Sequence, residues 1–156
     1  MRYVCDAPGG TTWFQIETQA EAALESQAMN HAVEKHFIQA QETAAKSYVA
    51  PPGPFFERDI GLTAHVQRSM PIFLTLRDGE GTALVTAMLP PVGQNERTFR
   101  PVIVGPANSD PFAEHADAIE ALAEHCSLRL DRSRCYPYAV VDGRSGLPGS
   151  RYRSPR

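Results

Sequence analysis

Apolar and polar positions follow two rhythms along this chain, one helical and one of strands. From Thr18 to Val49 the rhythm is helical. Thr18-Gln19-Ala20-Glu21 has the form of a capping box, with Thr18 as N-cap and Glu21 reaching back. No proline or glycine follows until Pro51-Pro52-Gly53-Pro54, which stops a helix abruptly. At 100° per residue, Ala22, Met29, Val33, Phe37, Ala40, Ala44 and Tyr48 fall within roughly one third of the circumference, an apolar stripe of core-facing width. One unbroken helix there would be roughly 45 Å long. That exceeds the width of a small domain, so part of it is expected to overhang, kink or meet another subunit.

Elsewhere the runs are shorter and β-branched. Thr11–Glu17 reads as a strand entering the long helix, preceded by a turn at Pro8-Gly9-Gly10. Ile60–Val66 reads as a short strand. Ile72–Leu76 and Thr82–Leu89 read as a hairpin closed by Asp78-Gly79-Glu80-Gly81. Thr98–Val104 reads as a strand in which Pro101 demands an edge or a bulge. Asp110-Pro111 starts a second helix, N-cap then proline, running to about Ser127. Phe112, Ala116, Ile119, Leu122, Ala123 and Cys126 are placed on its apolar side, and Tyr136–Val141 is the last strand. These runs predict an α+β fold: an antiparallel sheet of about five to six strands, one long N-terminal helix and a second, shorter one, in the order β-α-β-β-β-β-α-β. Both helices are expected on one face. The near-continuous apolar strands nonetheless call for some cover on both. Residues 1–142 are read as a single domain and 143–156 as a flexible Arg-rich tail.

Charge changes this picture only at the C-terminus. The net charge of −3 gives no global reason to expect nucleic acid or an anionic membrane. From Leu128 onward seven arginines face only Asp131 and Asp142, a net +5, which leaves −8 on residues 1–127. No apolar h-region follows Met1–Asp6, and no run is long enough to span a membrane. Three widely spaced cysteines without a secretory signal suit reduced thiols in a cytoplasm. Thirteen arginines against two lysines suit a bacterial, GC-rich coding sequence.

Candidate chemistry is thin. Gly9-Gly10-Thr11-Thr12 lacks the lysine and spacing of a P-loop. His31 and His36 are not four apart, so they do not form a helical zinc pair, and Cys126 and Cys135 lack a second ligand pair; no metal and no cofactor is expected. His125 and Cys126 are helix neighbours and cannot face each other. Cys126 is expected in the core. Cys135, beside Arg134 and within reach of His115 or His125, is the candidate reactive thiol. Three surfaces are candidates for binding. Leu24, His31, Ile38 and Val49 share the side of the long helix away from its main stripe, a face for self-association. Asp110, Glu114, Asp117, Glu120 and Glu124 form an acidic stripe on the second helix, a solvated face or a basic partner's seat. Arg144, Arg151, Arg153 and Arg156, with Tyr152 among them, form the basic tail.

The expected function is that of a non-catalytic binding or regulatory module that forms a homodimer through its long helix, with a further protein partner. The alternative is a small enzyme with a Cys/His site in a helix–sheet cleft. A nucleic-acid accessory protein acting through the tail ranks below both, and no membrane is expected.

Overall fold

The computed structural model describes residues 1–53 and 55–138, with the backbone alone at 55–59. Five strands, β1 (Arg2–Ala7), β2 (Thr11–Ile16), β3 (Ile72–Arg77), β4 (Ala83–Leu89) and β5 (Val102–Val104), form one antiparallel meander in sequence order. Among the described residues four α-helices accompany it: α1 (Gln19–Met29), α2 (Val33–Lys46), α3 (Phe55–Ser69) and α4 (Phe112–Cys126). The fold is therefore α+β, as the strand patterns predict, with several elements corrected.

The long helix is two helices. The capping box at Thr18 and Glu21 is present and starts α1, but Asn30 adopts a left-handed conformation (φ 53°) and ends it. Asparagine is a favoured residue at such a C-cap. Ser26 then ties the two pieces together, its backbone carbonyl accepting from Asn30 N–H and its hydroxyl from Glu34 N–H at 2.8 Å. Helices of about 16 and 21 Å replace the single rod, and the elbow at residues 30–32 lets both lie on the sheet instead of overhanging it. The apolar stripe survives the bend: Ala22, Met29, Val33, Phe37 and Ala44 are all buried.

Three strand assignments also change. Residues 60–66 lie inside α3, which packs on α2. Gly61 makes room there for the Tyr48 hydroxyl, since a Cβ would sit 2.2 Å from it. The strand expected over Thr98–Val104 shortens to Val102–Val104, because Pro101 has no N–H to give a ladder. Tyr136 forms a lone parallel bridge with Val102, and 139–141 lie outside the described residues, as does the predicted tail. Strand β1, missed in the sequence, pairs with β2 through the Pro8–Gly10 turn, where Gly9 and Gly10 take φ 77° and 74° as a tight hairpin requires.

Helices cover both faces of the sheet, not one. Alternate strand residues Trp13, Leu74, Leu76, Val85, Ala87, Leu89 and Ile103 pack under Ala118, Ile119, Leu122 and Ala123 of α4. Trp13 Nε1 donates to the Ala118 carbonyl at 2.8 Å and pins α4 to β2. Backbone at His115 is non-helical, which shifts the helix phase, so Ala118 is buried and Ala116 is exposed. Helix α4 starts one residue later than expected, with Pro111 at the N-cap position, and Asp110 Oδ1 just before it accepts from Phe112 N–H at 2.9 Å. On the opposite face Ile16 and Phe73 meet Ala22, Val33, Phe37, Ala44 and Met70. The Phe37 and Phe73 rings touch at 5.1 Å between centroids.

Candidate functional site

The α1–α2 face differs from the other in carrying a buried ionic chain. Glu25 projects from α1 at 0% exposure. Its Oε1 receives Arg77 Nη2 from the end of β3 at 2.7 Å, and its Oε2 receives the Thr86 hydroxyl from β4. Arg77 is held on two more sides, donating to Thr75 Oγ1 at 3.1 Å and to the Gly81 carbonyl at 3.0 Å. Thr75 and Thr86 are ladder partners, so the chain crosses the centre of the sheet. At its far end, His31 Nε2 lies 2.9 Å from Thr86 Oγ1.

Counting protons orders this chain. Thr86 has one hydroxyl proton, and Glu25 takes it. Its oxygen must then accept from His31, which makes neutral His31 the Nε2–H tautomer with a bare lone pair on Nδ1. That Nδ1 is sealed from solvent and has no hydrogen-bond partner among the described residues. Burial holds the His31 pKa below its ordinary value, with His36 adding to the effect and its own backbone and Glu25 opposing it. The imidazole is thus neutral at pH 7, a positioned and apolar-facing ring.

Next to it lies a cavity of about 600 Å³. Val33, Phe73, Met88, Val102 and Val104 give it an apolar floor, and His31 and His36 bound it on the elbow side. The opposite rim is the stretch from Ala107 to Asp110 together with Arg132 and Tyr138. Ala107 and Asn108 are consecutive residues with φ 55° and 60°, a left-handed pair that costs free energy in an alanine and tends to mark functional loops. Asp110 Oδ2 pairs with Arg132 Nε at 2.6 Å, and the guanidinium lies 4.6 Å above the Tyr138 ring. Tyr138 is fixed in turn, donating its hydroxyl to the Ser109 carbonyl at 3.1 Å and meeting Phe112 edge-on.

Of the candidate site residues singled out in the sequence that are described, His31 and Asp110 line the cavity and the others fall elsewhere. Cys135 is buried on the α4 face, where desolvation pushes its thiol up to about 12, so it is not an activated nucleophile. Cys126, expected in the core, is only half-buried, and burial raises its pKa as well. His115 and His125 stand on α4, across the sheet from the cavity, and His125 is exposed. Leu24, Ile38 and Val49 do not form one strip: Leu24 is on α1, Ile38 is half-buried on α2, and Val49 lies beyond its end. His31, assigned to that strip, turns inward to Thr86 because the elbow removes it from any helix. Glu114, Asp117, Glu120 and Glu124 are exposed without ion pairs among the described residues, while Asp110 serves the cavity rim. Arg144, Arg151, Arg153 and Arg156 lie outside the described residues.

Glu25, Arg77, Thr86 and Arg132 were not anticipated. Glu25 had a readable signal: it stands three residues from Ala22 and four from Met29, on the buried stripe, where a charge demands a partner. Among the described residues no group of three His, Cys, Asp or Glu converges as a metal site would. None of the described helices is long and apolar enough to cross a membrane. The chain matches no family model, no curated protein and no solved structure in the comparisons made.

Proposed function

We propose that this chain is a non-catalytic binding module whose ligand is a small molecule seated between the α1–α2 elbow and the sheet. One observation carries the reading: an apolar-floored cavity of about 600 Å³ whose polar rim is already positioned by the Glu25–Thr86–His31 chain and the Asp110–Arg132–Tyr138 cluster. Such convergence of an apolar pocket with few, fixed polar groups is the usual form of a ligand site. A catalytic role has less support. The hydrogen-bond partner of His31 among the described residues is Thr86, whose proton is committed to Glu25, so no nucleophile is activated there. Three free thiols support a cytoplasmic setting, and the arginine bias a bacterial one.

The test is binding of the neutral fluorophore N-phenyl-1-naphthylamine. Saturable one-to-one binding is expected, abolished by Val102→Trp, which fills the cavity from β5 while the circular dichroism is retained. Binding undiminished in that variant would place the site elsewhere. Self-association is the second reading, favoured by Leu24 and Val49 at 64% and 86% exposure. Sedimentation at micromolar concentration tests it, with a dimer dispersed by Leu24→Glu as the supporting result and a monomer as the opposing one.

A further inference from the structure

We propose that the cavity takes a small monocarboxylate with an apolar body, its carboxylate received by the two terminal nitrogens of Arg132. The inference rests on the cavity being a ligand site. Arginine side chains normally lose much rotamer freedom on binding an anion. Here most of that ordering is already done. Nε is committed to Asp110 Oδ2, one face of the guanidinium rests on Tyr138, and both supports are themselves held, Asp110 by Phe112 N–H and Tyr138 by the Ser109 carbonyl. The hydrogen bond of this guanidinium to a described residue comes from Nε, leaving the N–H groups of Nη1 and Nη2 without a hydrogen-bond acceptor among the described residues, and Arg132 lines the cavity. A fork of N–H groups fixed at its root and open at its tip is the geometry that takes a carboxylate by two parallel bonds.

The rest of the lining selects the class. Both oxygens of Asp110, the one carboxylate among the described residues of the cavity wall, already accept hydrogen bonds, so these residues have no uncommitted anion to offer an amine. His31 is neutral and its Nε2 proton is spent on Thr86. Asp110 also offsets the charge of Arg132, which disfavours a doubly charged phosphate and leaves directional bonding to a single negative charge as the attraction. A phosphate or sulfate alone would leave Val33, Phe73, Met88, Val102 and Val104 unused. An aliphatic or aryl body covers that floor and removes apolar surface from water.

The experiment displaces N-phenyl-1-naphthylamine from the full chain with octanoate and with octanamide, at pH 7.5 and 150 mM salt. The two compounds share size and apolar body and differ in charge. Octanoate should displace the probe at about tenfold lower concentration than octanamide, as a charge-assisted bidentate pair implies. Arg132→Gln should bring octanoate to within about twofold of octanamide and leave octanamide unchanged. Arg132→Lys, which keeps the charge and loses the fork, should fall between. Equal displacement by the two compounds in the wild type overturns the inference while leaving the cavity a ligand site. A chain that binds neither the probe nor either compound overturns both. Should Arg132→Gln fail to fold, the wild-type ratio and the Lys variant still decide.

Discussion

The two faces of the sheet bury similar side chains by different means. Under α4 the contact is dry: Trp13, Leu76, Val85, Ile103 and Leu122 are fully buried, and the buried side-chain hydrogen bond there among the described residues is that of the indole to a helix carbonyl. Under α1 and α2 the same sheet carries Thr75 and Thr86 at its centre, with Glu25 of α1 buried over them, and apolar packing gives way to a cavity beside His31. A dry face stabilises in proportion to the apolar area it removes from water. A buried ion pair contributes little net stability against well-packed apolar residues, but is costly to break. The α4 face holds the larger cluster of buried apolar residues. The elbow face adds a buried ionic chain that holds its groups in place at a cost in desolvation.

The largest effect should come from breaking the ionic chain. Glu25→Ala strands Arg77 and should cost about 3–5 kcal/mol in urea unfolding. Replacing both partners, Glu25→Leu with Arg77→Met, should recover most of that loss. On the dry face Leu122→Ala should cost about 2–5 kcal/mol, and no polar partner exists whose removal could restore it. A double variant as unstable as Glu25→Ala alone would contradict the contrast between the faces.

Next in size is Thr86→Val, which keeps shape and removes the hydroxyl. It leaves the His31 Nε2 proton and one Glu25 oxygen without their partner, for about 1–3 kcal/mol. Nitrogen-15 spectra of the imidazole should show the Nε2–H tautomer in the wild type and lose that preference in the variant. An Nδ1–H tautomer in the wild type would mean the hydroxyl points the other way.

A smaller effect is the pH dependence. The folded pKa of His31 lies below its unfolded value near 6.5. Between those two values the unfolded chain binds more protons, so stability is fully present above about pH 6.5 and declines as the pH falls toward the folded pKa. His31→Gln, which can still donate to Thr86, should flatten the melting temperature across that window. An unchanged slope would assign the effect to another group. Smallest of all, Cys135 should react with a thiol reagent at pH 8 far more slowly than Cys5 or Cys126, because it is the most buried and its thiol is pushed up to about 12. Equal rates would show the dry face to be open.

Much of the scaffold was legible and most of the site was not, for physical reasons. Thr18 with Glu21, the Asp78–Gly81 loop and the start of α4 beside Asp110 are local signals, and each appears within a residue of where its signal stands. The elbow was hidden because Met29 and Val33 remain four apart, so the apolar stripe stays in phase across Asn30. Ile60, Leu62, Ala64 and Val66 alternate as a strand would, yet packing on α2 makes that segment helical, a case of tertiary context overriding pattern. Glu25 could have been flagged from its place on the stripe. Arg132 could not, since its meaning depends on Asp110, 22 residues earlier, and on the Tyr138 ring.

The division of the molecule into a dry face and a proposed binding face is tested most directly by methyl-detected NMR during titration with N-phenyl-1-naphthylamine. The methyl groups of Val33, Met88, Val102 and Val104 should shift and saturate together, while those of Val85, Ile119 and Leu122 stay in place. Shifts centred on the second set, or none in the first, would contradict a ligand site beneath the α1–α2 elbow.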